Sequence, residues 1–117
     1  AGVPGLSSVL GKPYVYGATG PYSFDCSGLT QYLARQRGIA IQRTSQAQIG
    51  SLPWIPLAQA QPGDIIAFSY GHVGTYLGGG RVVHAVVSSP AGAVVYNDNL
   101  QTAIQYNGFL TALAVGH

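Results

Sequence analysis

The chain of 117 residues has one cysteine, no methionine, one tryptophan, five Lys or Arg and three Asp or Glu residues. A single cysteine cannot close an intramolecular disulfide, so a disulfide-stapled secreted scaffold is excluded. No four Cys and His residues fall at zinc-finger spacing, which excludes that class as well. Charged residues make up 7% of the chain against 47% hydrophobic, a balance that argues against disorder. The basic residues Lys12, Arg35, Arg37, Arg43 and Arg81 are scattered and form no patch, so no nucleic-acid partner is expected. No apolar run reaches the length of a membrane span. No basic segment is followed by an apolar one at the start, and position 1 is not Met, so the chain reads as a mature or excised part of a longer precursor. What remains has the length of one domain, 1–117, long enough to bury a core without staples. Residues 1–8 read as the tail of a preceding segment.

Local patterns predict an α+β fold. Leu6 to Leu10 suit one or two helical turns before Gly11. Residues 13–17 read as extended and 17–24 as a loop punctuated by Gly17, Gly20 and Pro21. Asp25 is a suitable N-cap for a helix over 26–37, with Leu29, Tyr32 and Leu33 on one face and Gly38 at its end. Helical potential recurs at 45–49. Residues 51–63 carry Pro53, Pro56 and Pro62 and read as irregular, with Trp54 as an anchor. Strands are predicted at 65–70, 72–77, 81–87 and 94–97, and a strand or short helix at 109–115. Short glycine-containing connections make the sheet antiparallel, and helices followed by strands make the class α+β.

Three residue types could carry chemistry. Cys26 stands at the first turn of the predicted helix, where free N–H groups and the dipole favour an anion and lower a thiol pKa. Read alone, it is also a small buried hydrophobe. His72 and His84 supply imidazole for a thiol nucleophile, one as base and one to orient it. With a three-residue loop at Gly78–Gly80, Leu77 faces Arg81 and His72 faces Val86. His84 is then a diagonal neighbour of His72 on one face, roughly 7–8 Å away between Cα atoms. A two- or four-residue loop would separate them to opposite faces. Cys26, His72 and His84 could also be zinc ligands, but no Cys-x-x-Cys or His-x-x-x-His pair is present, so neither metal nor cofactor is expected. His117 reads as a solvated terminal residue with no role.

Taken in order, Pro13-Tyr14-Val15-Tyr16-Gly17, Asp25-Cys26-Ser27-Gly28, Arg43-Thr44-Ser45 with Gln48, Pro62-Gly63-Asp64-Ile65, Gly71-His72-Val73-Gly74-Thr75-Tyr76-Leu77-Gly78 and Val83-His84-Ala85 resemble the NlpC family of cell-wall cysteine peptidases. The blocks cover most of residues 8–87. The resemblance implies a papain-like α+β fold with N-terminal helices packed on a central antiparallel sheet. It implies hydrolysis of peptidoglycan stem peptides between D-iso-glutamate and a diamino acid, meso-diaminopimelate or lysine. It makes Cys26 the nucleophile, His72 the base and His84 the residue that orients His72. It places Tyr14 at the oxyanion and Asp25 and Ser27 at the free amine of the stem. Arg43 and Ser45 would line the same cleft. Asp25 reads equally as a helix cap, Tyr14 as a packed aromatic, and Ser27 and Arg43 as solvated residues.

Function follows as a peptidoglycan endopeptidase, expected to act as a monomer outside the cell, in the wall or periplasm, with a bacterial or a phage-tail parent. Two other readings stay open. One is a non-catalytic module that binds cell-wall peptides. The other is an amidase or acyltransferase on the same fold.

Overall fold

The structure is a computed structural model and describes residues 2–117. Among these residues it contains helices α1 (Leu6–Val9), α2 (Cys26–Gln36), α3 (Ser45–Ser51) and α4 (Leu100–Asn107). The strands are β1 (Trp54–Ile55), β2 (Ile65–Ala67), β3 (Val73–Gly78), β4 (Arg81–Ala85), β5 (Val95–Asn99) and β6 (Thr111–Leu113). The strands form one sheet in the order β1-β6-β2-β3-β4-β5, with every pairing antiparallel. The fold is α+β, as expected. No helix among the described residues is long and apolar enough to cross a membrane.

Helix α2 forms where the capping chemistry predicts. The Asp25 carboxylate accepts from the Gly28 N–H at 2.6 Å, and Leu29, Leu33 and Ala34 bury one stripe against the sheet. Gly38 follows at φ 77, a left-handed position natural to glycine. Helix α3 begins at the Thr44 cap, whose hydroxyl accepts from the Ala47 N–H.

The sheet is buried on both faces. On one face Ile65, Ala67, Val73, Val83, Ala85 and Leu113 meet α1 and α2. On the other, Ile66, Phe68, Val82 and Ala112 meet Leu100 and Ala103 of α4. Two-sided burial explains why β2 is apolar throughout rather than alternating.

Several local expectations are corrected. Helix α4 lies in a stretch read as having no element. Its Asn99 cap accepts from the Thr102 N–H at 3.0 Å and Gly108 ends it at φ 73. Trp54 is not a buried anchor: it sits on edge strand β1, 56% exposed, and only its indole N–H is held, by the Ile49 carbonyl at 2.9 Å. In the segment 1–8, residue 1 lies outside the described residues, while Val3 and Leu6 pack with Phe24 and Leu29 in the core. The β3–β4 turn also differs. Gly78 pairs with Arg81, so the loop has two residues, Gly79 and Gly80. A bulge between Tyr76 and Gly78 then restores Tyr76 opposite Val82 and Thr75 opposite Val83. That is the body register of a three-residue loop, and it keeps His72 and His84 together. Left-handed φ values at Gly78, Gly79 and Gly80 allow this combination of turn and bulge.

Candidate active site

The site forms where the start of α2 meets the start of β3. Cys26 is the first residue of α2 and half-buried. Its thiol faces the N–H groups of Val73, Ser27 and Cys26 itself. Val73 follows His72 directly, so the nucleophile candidate and the base candidate are joined through one peptide unit. Gly28 lets the helix start lie against the preceding loop: a Cβ there would come 2.2 Å from the Ala18 carbonyl oxygen.

His72 and His84 are brought together. His72 Nε2 lies 2.8 Å from His84 Nδ1, and Phe68 packs against both rings at centroid distances of 5.3 and 5.9 Å. Gly74 leaves the room for this: a Cβ there would stand 2.9 Å from Val82 Cγ2 and 3.0 Å from His84 Cβ. A fourth residue extends the chain. His84 Nε2 lies 3.0 Å from Asp98 Oδ2. Sequence reasoning missed Asp98 because the strand was predicted to stop at 97, whereas β5 runs to Asn99. The signal was there: Tyr96 opposes His84, and the next residue on that face is Asp98.

The remaining predicted residues line one cleft of about 430 Å³ with Cys26: Tyr14, Asp25, Ser27, Arg43 and Ser45. Gly71, beside His72, closes it. Tyr14 also borders a second cavity of about 830 Å³, which contains His72, His84 and Asp98. Tyr14 therefore stands between the thiol side and the imidazole side.

Arg43 is not a free solvated residue. Its guanidinium donates to Asp25 Oδ2 at 2.8 Å, to Asp25 Oδ1 at 3.2 Å and to Ser27 Oγ at 2.9 Å. Asp25 further accepts from the N–H groups of Gly17 and Gly28 and from the Ser27 hydroxyl. The carboxylate is thus cap, loop tie and ion-pair partner at once. His117 is exposed, as expected of a solvated terminal residue, and its Nε2 lies 2.8 and 2.9 Å from the two oxygens of buried Asp64. Asp64 accepts as well from the Gln61 and Val115 N–H groups, tying the chain after β6 to the start of β2.

Electrostatics correct one expectation. Burial pushes the Cys26 thiol above its ordinary pKa, Asp25 adds to the push, and the N–H groups around it recover only part. Burial and the neighbouring His84 hold His72 down to about 3. Burial also lowers His84, with Asp98 opposing. At rest the thiol and the imidazole are both neutral. Burial raises Asp25, but the hydrogen bonds from Arg43 and Gly28 outweigh it and leave the carboxyl below its ordinary value. Tyr14 is raised by burial and by Cys26 and Asp25, so its hydroxyl keeps its proton and can donate. Among the described residues no three His, Cys, Asp or Glu side chains are grouped to hold a metal ion.

The model of the NlpC/P60 family matches residues 11–108. The chain belongs to the NlpC/P60 family. It is 48% identical over 80 residues to the "Probable endopeptidase p60" of Listeria grayi, covering 65% of this chain. The chain spans only 16% of that relative's length. Among solved NlpC/P60 structures, NlpC1 from Trichomonas vaginalis superposes with a TM-score of 0.82 at 30% identity, covering 94% of this chain and 41% of that one. RipD from Mycobacterium tuberculosis, described as a non-catalytic NlpC/p60 domain protein adapted to peptidoglycan binding, gives 0.73 at 27% identity, covering 96% and 92%.

Proposed function

We propose that this NlpC/P60 domain is a cysteine peptidase that cleaves peptidoglycan stem peptides between D-iso-glutamate and a diamino acid. One observation carries the reading: a thiol at a helix start beside the Val73 N–H, with His72 next along the chain and held by His84 at 2.8 Å. His72 Nε2 is engaged with His84, which leaves Nδ1 for the thiol. As the Cys26 sulfur attacks the scissile carbonyl, His72 takes the thiol proton. The oxyanion is met by N–H groups at the start of α2 and by the Tyr14 hydroxyl. Collapse breaks the C–N bond, and His72 returns the proton to the leaving amine. Water, deprotonated by His72, then hydrolyses the thioester to a free carboxylate and regenerates the thiol.

The cleft with Asp25, Ser27, Arg43 and Ser45 takes the acyl side of the stem, and the larger cavity takes the amine product. Asp25 is saturated by its donors, so it favours a stem amine through its charge rather than through a vacant oxygen, and Ser27 Oγ, which already accepts from Arg43, offers its one remaining lone pair. No metal or cofactor takes part. The domain acts as a monomer at the cell wall, outside the cytoplasmic membrane.

A second reading, a non-catalytic binding module, is favoured by the raised thiol pKa and by the likeness to RipD. Incubation with a free tetrapeptide stem and with its disaccharide-linked form, followed by mass spectrometry, separates the readings. Release of a dipeptide that begins with the diamino acid, leaving D-iso-glutamate as the new carboxyl terminus of the other fragment, supports the endopeptidase. Release of the whole stem from the sugar would make it an amidase. Binding without any product would make it the module.

A further inference from the structure

We propose that Asp98 is a positioning residue of this site: by accepting from His84 Nε2 it sets the direction of the hydrogen-bond chain, so that His72 presents an unprotonated Nδ1. This rests on the reading of His72 as the base.

The argument is one of donors and acceptors. A carboxylate can only accept, so at 3.0 Å from Asp98 Oδ2 the proton belongs to His84 Nε2. A neutral imidazole carries one proton, so His84 Nδ1 is then a lone pair. His72 Nε2, 2.8 Å away, must supply the hydrogen of that bond. The single proton of neutral His72 is thereby fixed on Nε2, and Nδ1 is the free base. Without Asp98 both directions of the His72–His84 bond are open. In the reverse direction His84 Nδ1 donates, His72 carries its proton on Nδ1, and the base is lost.

The fold supports this role. His84 is 1% exposed, so water does not readily replace Asp98 as the partner of its Nε2. The β4–β5 register places Asp98 diagonal to His84 on one sheet face, opposite Val82. When His72 takes the thiol proton, the Asp98 carboxylate also lies at the far end of the chain to favour the new positive charge.

Nitrogen-15 NMR of the histidine rings tests this without any substrate, so it stands or falls separately from the hydrolytic reading. In the wild type at neutral pH, both His72 and His84 are expected to carry their protons on Nε2. In Asp98→Ala, His84 is expected to populate both tautomers. On the disaccharide tetrapeptide, Asp98→Ala should lose about 10- to 100-fold in kcat with KM within about twofold. A wild-type His84 protonated on Nδ1 would overturn the proposal. So would unchanged tautomers in the variant, or a loss carried by KM, which would make Asp98 a substrate-binding residue. The wild-type spectrum decides alone if the variant does not fold.

Discussion

In the proposed mechanism a thiol and an imidazole that are both neutral at rest move the proton during attack, not before it. The consequence is visible in pH dependence. His72 is held down to about 3 rather than the usual 6.5, so it stays an unprotonated base on mildly acidic descent. The kcat/KM for stem peptide is therefore expected to persist from pH 7 to about pH 5, where an ordinary imidazole is mostly protonated. A half-loss centred near 6.5 would show that His72 is not so held. At this scale the place of Cys26 at a helix start and the pairing of His72 with His84 were legible, because these residue types are few and their surroundings are distinctive. Asp98 was not legible, because its role depends on one more residue of strand than propensity suggested. The pairing of His117 with Asp64, 53 positions apart, has no local signal. The thiol shift was read with the wrong sign: the helix start is local and visible, whereas the burial that outweighs it is tertiary.

Two elements hold Cys26 in place, and one side chain joins them. Gln48 of α3 is fully buried. It accepts from the Thr30 hydroxyl at 2.8 Å and donates to the Ser27 carbonyl at 3.2 Å, both in the first turns of α2, and to the Gln42 carbonyl at 2.8 Å. Gln48→Leu removes the side-chain donor of the Gln42 carbonyl and leaves the Ser27 carbonyl and the Thr30 hydroxyl with only their 2.9 Å bond to each other, and is expected to cost about 1–3 kcal/mol in urea unfolding. A change under about 0.5 kcal/mol would mean that the link contributes nothing net. Caps and stripes made α2 and α3 legible within a few residues. Helix α4 was missed although Asn99 and Gly108 bracket it, because Gln101, Thr102 and Gln105 dilute its apolar stripe of Leu100, Ala103 and Ile104. The β3–β4 register was foreseen in its body and not in its turn, since two glycines and a bulge give the pairing that three loop residues would give.

For the whole molecule, burying the site in neutral form makes stability depend on acid. The unfolded chain binds a proton on His72 near 6.5, while the folded chain resists until about 3. Between those values the unfolded state holds more protons, so stability is lost as pH falls. Asp25, held below its ordinary value of 3.8, extends the loss further down. Calorimetry is expected to show Tm falling steadily from about pH 6.5 to 4, with a shallower slope in His72→Asn; a flat Tm over that range would contradict the buried neutral imidazole. The fold class was legible as a whole, because helix and strand patterns separate along the chain. The second helical layer was not, because it rests on α4. In the proposed function Cys26 is the nucleophile of a wall peptidase. Its most direct test is stem-peptide cleavage by wild type and by Cys26→Ala, with circular dichroism to confirm the fold of both. Cleavage by the wild type that vanishes in the folded variant is the predicted result. Equal cleavage by the two would contradict it.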